Sequence, residues 1–369
     1  MYGLITYLRN KLFDCGVLKT QTHSLLTIGV GNLKVGGTGK TPFVEHLLTN
    51  LSSEYNIAVV SRGYGRKSKG LQIVSPNGTA EEFGDEPLQM SKKFPQVLFV
   101  VCKDRNTAIE HIERHYPQID LVLLDDAYQH RYVSRDINIL LSEYSRPFFS
   151  DKVMPFGLLR EYPQGSKRAD YIVITKCPHI DLQQQKDFVG RIDLLPNQKV
   201  FFSHICYKDP YLADNKNITT DLKTHEVILI SGIANPKPLV EHLKSQTHLL
   251  QTIIFGDHHA FSNKDIKRIT TIYESTKTEN TILLTTEKDA SRLLHFPLPL
   301  YVLPIETTIS QYPQNNQTII NQIKQDLCTI KSIKRQNTSN HKSEKQPPCC
   351  SRENETTGIT KDTLKTTRR

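Results

Sequence analysis

The stretch GNLKVGGTGKTP, residues 31–42, decides the fold of this chain. It fits the phosphate-binding pattern G-x-x-x-x-G-K-[ST] except at the first position, where Lys34 stands in place of glycine. The apolar run 25–30 before it predicts a buried parallel strand, and apolar residues at helical spacing over 43–51 predict a helix after it. Because strand, glycine-rich loop and helix follow in the required order, we predict a loop that binds nucleotide phosphate.

The polar groups of this loop have distinct expected tasks. Lys40 would reach the β- and γ-phosphates, and Thr41 would place its hydroxyl on Mg²⁺. Backbone N–H groups would approach the phosphate oxygens from four residues, Gly36, Gly37, Thr38 and Gly39. The alternative is a glycine-rich turn between strand and helix that carries a surface lysine. The order of the elements favours phosphate binding, since the glycines after Lys34 already supply the flexibility.

Length and composition limit the class of protein. A chain of 369 residues is long enough for two domains, and its odd number of cysteines, seven, without metal-binding spacing predicts reduced thiols in the cytosol. Six of the nine excess positive charges lie in residues 331–369, which contain too few apolar residues to form a core. We therefore predict a disordered basic tail over 331–369 and no nucleic-acid partner.

The N-terminus, residues 1–20, predicts an amphipathic helix. Its apolar side chains follow a stripe with a period of 3.6 residues, formed by Met1, Leu4, Ile5, Leu8 and Leu12. Aromatic residues flank this stripe. This helix could pack on the protein's own core or lie in a membrane interface, and the segment alone leaves both open. The sequence contains no run of transmembrane length and no visible cleavable signal peptide.

Apolar strands alternate with helical segments over the next 200 residues, which predicts a mostly parallel sheet covered on both faces. Asp125 and Asp126 directly follow the apolar run of one predicted strand, at the sheet edge where ligands bind. There a carboxylate would hold Mg²⁺ opposite Thr41. The alternative is two acids that open a solvated loop.

A polar segment after Ser203 predicts a hinge or ribbon, after which strand and helix signals resume. We predict an N-terminal helix over 1–20, a phosphate-loop core domain over 21–222, a smaller α/β domain over 223–305, a return segment with a helix over 306–330, and the tail. The smaller domain contains GDHHAFS, where one of the adjacent histidines, His258 or His259, could help to deprotonate an alcohol if the loop faces a nucleotide cleft.

Taken together, these motifs resemble the tetraacyldisaccharide 4′-kinases of lipid A synthesis. The resemblance spans about residues 7–290, and its specificity comes from the order of the strings. They are RNKLFDCGVLK, VGNLKVGGTGKTP, SRGYGRKSKG, GDEP, DRN, LLDDAYQHR, MPFGLLRE, RADYIVITK, SGIANP, FGDHHAFS and LTTEKDA. In this family the first glycine of the phosphate loop is often replaced, which accounts for Lys34.

The resemblance implies transfer of the γ-phosphate of ATP, with Mg²⁺, to the 4′-hydroxyl of tetraacyldisaccharide 1-phosphate, giving lipid IVA. It implies a P-loop NTPase-like, mostly parallel sheet domain and a smaller α/β domain joined by a β-ribbon hinge. It also favours the membrane-interface interpretation of residues 1–14, because the acceptor is a bilayer lipid. We expect a peripheral protein, monomeric, on the cytoplasmic face of the inner membrane.

The resemblance also assigns site residues by position. Asp85 of GDEP matches the carboxylate that acts on the acceptor hydroxyl, with His258 as its partner; the alternative for Asp85 is a helix N-cap. Asp125 and Asp126 resemble the magnesium acids, with Gln129 beside them. Three arginines match residues that neutralise phosphate charge in the transition state: Arg62, Arg105 and Arg160.

Two other classes of protein are alternatives to a kinase of this family. A switch-type phosphate-loop ATPase of the partitioning or metal-insertion type has the loop K-G-G-x-G-K-[ST], but here the lysine lies one residue too early, at Lys34. A basic adaptor for nucleic acid has only the tail in its support. The chain also departs from the kinase family at Ala127 and Tyr128, where glycine and phenylalanine are usual.

Overall fold

The fold was analysed in a computed structural model that describes residues 2–178, 180–257, 259–293, 296–313 and 318–343. Within them the strands are β1 Leu26–Asn32, β2 Ile57–Ser61, β3 Gln72–Ile73, β4 Leu98–Val101, β5 Leu121–Leu124, β6 Ile137–Glu143, β7 Tyr171–Thr175, β8 Lys199–Tyr207, β9 Tyr211–Leu212, β10 Asn215–Thr219, β11 Glu226–Ser231, β12 His248–Ile254, β13 Thr281–Thr286, β14 Leu300–Leu303 and β15 Ile305–Tyr312.

The α-helices are α1 Tyr2–Asp14, α2 Lys40–Leu51, α3 Ala80–Phe83, α4 Asp85–Lys93, α5 Arg105–His115, α6 Leu182–Val189, α7 Lys237–Gln246, α8 Asn263–Thr276, α9 Glu287–Ala290 and α10 Ile319–Ser343. Short 3₁₀ helices lie at Phe148–Ser150, Pro163–Arg168 and Leu222–Thr224. No helix among the described residues is long and apolar enough to cross a membrane.

Nine strands form the first sheet in the order β15-β8-β7-β6-β1-β5-β2-β4-β3. All pairs from β8 to β4 are parallel, and only the edge strands β15 and β3 are antiparallel to their neighbours. Strand β1, which leads into the phosphate loop, lies between β5 and β6 and is buried along its whole length. A parallel sheet buried on both faces explains why these strands are continuous apolar runs.

Alternate residues of each strand face two separate cores. Leu121 and Leu123 of β5 pack with α2, α4 and α10, whereas Val122 and Leu124 pack with α5 on the opposite face. This arrangement follows from the two-residue period of a strand. Because β1 and β5 pair in parallel, the end of β5 lies at the same sheet edge as the end of β1, from which the phosphate loop leads to α2.

The second sheet has six strands in the order β10-β9-β14-β13-β11-β12, with parallel pairing among β11 to β14. The chain leaves the first sheet through β8 and returns to it through β15, and these two strands pair antiparallel from Tyr207–Ile305 to Val200–Tyr312. They form the ribbon between the two sheets. Residues up to Ile330 make one compact unit that contains both sheets.

Three predicted boundaries differ from the structure. The N-terminal helix was predicted over 1–20, but α1 ends at Asp14. The second sheet already includes β9 and β10, so it begins before residue 223. These strands were not predicted because every residue of β10 is exposed, and its polar composition resembles that of a linker.

The tail was predicted to be disordered from residue 331, but α10 continues to Ser343. Lysine, arginine and glutamine are good helix formers, and they extend a helix whose first turns are buried. Residues 344–369 lie outside the described residues.

A partly buried cluster of charges joins the two parts of the compact unit. Lys93 of α4 contacts Glu45 of α2 at 2.7 Å and Glu287 of α9 at 2.9 Å. Burial raises the pKa of Glu45 to about 6, although Lys93 opposes this effect. Burial alone would lower the pKa of Lys93, but the two carboxylates raise it above the ordinary value. The phosphate-loop helix is thus linked to the second domain through one lysine.

Candidate active site

The phosphate loop leaves β1 after Asn32 and enters α2 at Lys40. Gly36 and Gly39 adopt positive φ angles of 105° and 80°, which strongly favour glycine. Added Cβ atoms at Gly36 and Gly37 would meet no atom within 4 Å, so the space in front of the loop is open. An open loop of this conformation at a helix N-terminus fits a polyphosphate chain.

The loop is also held from behind. The amide of Asn32 donates to the Thr38 hydroxyl at 2.6 Å, and the Thr175 hydroxyl donates to the Thr38 carbonyl at 2.7 Å. Lys34 is buried and forms an ion pair with Glu143 at the end of β6. The lysine in the first-glycine position therefore points to Glu143, which makes it a structural anchor of the loop. The sequence reading did not identify Glu143 as its partner.

One carboxylate connects the phosphate-loop lysine to an arginine. Asp126 lies 3.5 Å from the Lys40 ammonium and 3.1 Å from the Arg160 guanidinium. Arg160 also donates to the side-chain oxygen of Gln129 at 3.3 Å. Burial alone would raise the pKa of Asp126, but Lys40 and Arg160 hold it below its usual range. The structure thus brings together four of the predicted site residues.

The neighbouring acid has the opposite environment. Asp125 is buried, and its Oδ1 atom has no hydrogen-bond partner among the described residues. Burial and the nearby Glu86 raise its pKa to about 7, while Lys40 opposes the shift. An unpartnered buried carboxylate oxygen is costly in an empty site, and a cation would satisfy it. Glu86, which follows Asp85 in GDEP, is a neighbour that sequence reasoning missed.

Residues around Asp125 fit Mg²⁺. The hard oxygen of the Asp125 carboxylate suits the ion, and the Thr41 hydroxyl lies at the start of α2 where the sequence pattern requires it. Protein sites usually hold Mg²⁺ through one or two carboxylates together with phosphate oxygens. The described residues contain no group of three or more His, Cys, Asp or Glu side chains that could hold a metal ion by themselves. A magnesium site of one or two carboxylates and phosphate oxygens does not require such a group. The magnesium roles of Thr41, Asp125 and Asp126 remain predictions.

The predicted arginines differ in exposure. Arg105 is buried and donates to backbone carbonyls of Lys103 at 3.0 Å and Asp125 at 3.4 Å. Arg105 therefore helps to hold the backbone at Asp125, where the acidic loop begins. Arg62 is exposed and close enough to lower the pKa of Arg105, although burial is the larger cause. Of the three, Arg160 has the contacts that best suit a phosphate group.

Asp85 is the first residue of α4, and the helix is capped by Gly84 at φ 89° without a side-chain bond. The N-cap alternative for Asp85 is therefore wrong. Its carboxylate instead lies 2.9 Å from the guanidinium of Arg292, which belongs to the second domain. Arg292 is buried and also contacts Asp289 at 3.3 Å. Sequence reasoning missed Arg292, since the residue lies just beyond the TTEKDA string.

Two sequence motifs of the second domain, SGIANP and LTTEKDA, meet at Asp289. Its carboxylate accepts from the backbone N–H of Gly232 at 2.9 Å and from the hydroxyl of Thr286 at 2.8 Å. Thr286 caps α9, because its hydroxyl accepts from the backbone N–H of Asp289 at 3.1 Å. His258 lies outside the described residues. The flanking loop is held by Lys288 to Asp257 at 3.1 Å and by His259 to Asp265 at 3.1 Å.

A buried acid links α1 to this site. Glu161 accepts from the amide of Asn10 at 2.6 Å, from Gln129 at 3.1 Å and from Arg168 at 2.9 Å. The departure at Tyr128 is accommodated nearby, because its buried hydroxyl donates to the Gly165 carbonyl at 2.8 Å. The N-terminal helix therefore contacts Gln129 in two ways, through Glu161 and directly, because the Arg9 guanidinium donates to the Gln129 carbonyl.

These features define a phosphate-loop nucleotide-binding protein. Its two acids, Asp125 and Asp126, follow β5, which pairs with β1, the strand that leads into the phosphate loop. The sequence profile of the tetraacyldisaccharide-1-P 4′-kinase family matches residues 1–324. The chain belongs to this family, and the family predicted from the sequence motifs is confirmed.

Individual relatives agree with this assignment. The chain is 39% identical over 359 residues to a tetraacyldisaccharide 4′-kinase of Bacteroides thetaiotaomicron, covering 91% of this chain and 94% of the relative. It is 40% identical over 332 residues to that of Flavobacterium johnsoniae, covering 89% and 96%. A crystal structure of LpxK from Aquifex aeolicus in complex with ATP is similar at a TM-score of 0.70 and 30% identity, covering 89% and 96%. The predicted fold class is thus confirmed.

Proposed function

We propose that this protein transfers the γ-phosphate of ATP to the 4′-hydroxyl of tetraacyldisaccharide 1-phosphate and so forms lipid IVA. One observation carries the proposal: in a chain of this family, Lys40, Asp126 and Arg160 form a charged cluster beside an open phosphate loop. Two cations that share one carboxylate can turn to a polyphosphate when it enters.

Nucleotide binding rests on the loop and its supports. The backbone N–H groups and Lys40 would hold the β- and γ-phosphates, while Arg160 would approach the γ-phosphate as its charge spreads. Gln129 keeps Arg160 in place by accepting from it at 3.3 Å. Bound Mg²⁺, held by Asp125 and Thr41, would neutralise phosphate charge.

Asp85 is proposed to activate the acceptor. The 4′-oxygen forms a bond to the γ-phosphorus, and the bond from that phosphorus to the β–γ bridging oxygen breaks, so ADP leaves with the electron pair. The hydroxyl proton passes to the Asp85 carboxylate, which suits a poor nucleophile at neutral pH. Arg292 orients this carboxylate from the second domain at 2.9 Å. His258 keeps its predicted role as the partner of Asp85.

The acceptor is a lipid, and the N-terminal helix supports a peripheral position at the membrane. Leu4, Ile5 and Leu8 of α1 are 59%, 59% and 53% exposed, whereas the helix buries only Gly3 and Phe13. This exposure favours the membrane-interface alternative over packing on the core. We place the protein, as a monomer, on the cytoplasmic face of the inner membrane.

Lipid-dependent ADP release tests the proposed reaction. Wild-type protein with Mg-ATP should release ADP when tetraacyldisaccharide 1-phosphate is added and not when a matched 4′-deoxy acceptor is added. Asp85→Asn should abolish this release while nucleotide affinity, measured by titration, stays within about twofold, because Asp85 acts on the acceptor. ADP release that ignores the acceptor would contradict the proposal.

A further inference from the structure

A second apolar element lies next to α1, in the loop formed by residues 152–159, here called the Phe156 loop. Phe156 at its tip is 86% exposed, and Leu158 is 37% exposed. The start of α1 packs on this loop, because a Cβ on Gly3 would lie 3.1 Å from the Val153 side chain. Large side chains this exposed, grouped with an exposed helix face, mark an interaction surface.

The Phe156 loop is rigid enough to present its tip. Phe156 N–H donates to the Val153 carbonyl at 3.1 Å, Met154 N–H to Leu159 at 3.0 Å, and Leu159 N–H to Lys152 at 3.0 Å. A side chain at Gly157 would collide with the Lys152 carbonyl, so the turn closes tightly under Phe156. The phenyl ring is therefore held outward by the backbone.

Charge complementarity identifies the partner. The acids near this surface are already paired, Asp151 with Arg146 at 2.8 Å and Asp14 with Arg131 at 2.8 Å. Lys152 at the start of the loop and Lys11 in the last turn of α1 are exposed. Apolar and aromatic side chains bordered by exposed ammonium groups fit a bilayer surface with anionic headgroups.

The loop also connects this surface to the phosphate site. Its Leu158 carbonyl accepts from Val35 N–H in the phosphate loop at 2.8 Å. Immediately after it, Arg160 N–H donates to Leu33 at 2.7 Å, and the Arg160 side chain reaches Asp126. A loop seated in the lipid would therefore fix the height of the phosphate site above the headgroups.

We propose that the Phe156 loop inserts Phe156 into the bilayer interface beside α1, as a second membrane contact. The proposal rests on the proposed function for its membrane setting. In this proposal Phe156 contacts the bilayer itself. The experiment must therefore distinguish contact with the bilayer from contact with an acyl chain of the acceptor.

The absence of tryptophan from the chain makes a direct test available. Phe156→Trp and Leu4→Trp each introduce a single reporter, and Ile218→Trp on exposed β10 of the second sheet is the matched control. With vesicles of equimolar phosphatidylcholine and phosphatidylglycerol, emission at 156 and 4 should shift to the blue and be quenched by brominated acyl chains. Emission at 218 should not change.

A blue shift at residue 4 without one at 156 would overturn the loop insertion and leave the α1 contact intact. A shift at 156 that needs the acyl-lipid acceptor and does not occur with vesicles alone would assign Phe156 to substrate and also overturn it. Phe156→Ser should lower vesicle partition about tenfold, since one phenyl ring leaves the interface; Ile218→Ser should not. The readout needs neither ATP nor acceptor, so its failure is separable from failure of the kinase assignment.

Discussion

Replacing Asp125 by asparagine should raise the stability of the nucleotide-free protein while removing its activity. The pKa of Asp125 rises from 3.8 to about 7 through burial and the nearby Glu86. Between these two values the folded protein binds a proton that the unfolded chain has lost, so the free energy of unfolding falls as pH rises. Asparagine has nearly the same shape and removes this pH-dependent cost.

The structure sets the size of this effect. A rise from 3.8 to about 7 corresponds to roughly 4 kcal/mol when the carboxylate is fully ionised. Relaxation and entry of water reduce the penalty of a buried charge, so we expect a gain of about 1–3 kcal/mol at pH 8. For a protein of this size, that gain is a rise of about 1–4 °C in the unfolding midpoint.

Thermal unfolding in EDTA at pH 5 and pH 8 measures the effect, with Asp126→Asn as the matched control. The gain from Asp125→Asn should be larger at pH 8. Asp126→Asn should lose about 1 kcal/mol instead, because Lys40 and Arg160 lose their shared carboxylate. Asparagine tolerates the φ of 46° at that position, so backbone strain does not confound the comparison.

Addition of Mg-ATP gives the second readout of the same variant. It should raise the unfolding midpoint of wild-type protein more than that of Asp125→Asn, since the metal ligand is absent from the variant. If Asp125→Asn destabilised the nucleotide-free protein at pH 8, or kept full kinase activity, the reasoning on Asp125 would be refuted.

Three further variants test other parts of the account. Lys40→Ala should lower lipid phosphorylation at least about 10²-fold, with exposed Lys67→Ala unchanged, as measured by lipid mass spectrometry. Arg292→Met should lower kcat about tenfold or more without changing KM for ATP, because the Asp85 carboxylate loses its partner. Arg292→Lys should recover part of the lost kcat, and an equal loss in both variants would contradict a positioning role. Lys93→Met leaves the buried Glu45 and the half-buried Glu287 carboxylates without their cation and should cost about 3 kcal/mol in thermal unfolding; an unchanged midpoint would contradict it.

The core fold was readable from sequence because its determinants are local. The apolar run before residue 31, the glycines of the loop and the periodic segment after it predict a strand, a loop and a helix, and the structure contains β1, the loop and α2 in that order. The position of Asp125 and Asp126 followed from the rule that parallel strands end at one edge.

Other contacts depend on pairings that no local pattern reveals. Lys34 binds Glu143, which lies 109 positions later, and Asp85 meets Arg292, which lies 207 positions later. Such partners are brought together by the strand order and by the ribbon of β8 and β15. Strand β10 was missed for a different reason, since all its residues are exposed and it lacks an apolar face.

The central claim is most directly tested by mass spectrometry of tetraacyldisaccharide 1-phosphate after incubation with Mg-ATP and this protein, with Lys40→Ala in parallel. We predict a gain of one phosphate with wild-type protein only, and fragments that place it on the sugar that carries the 4′-hydroxyl. An unchanged lipid mass together with ATP hydrolysis that does not depend on lipid would contradict the account and favour a switch-type ATPase.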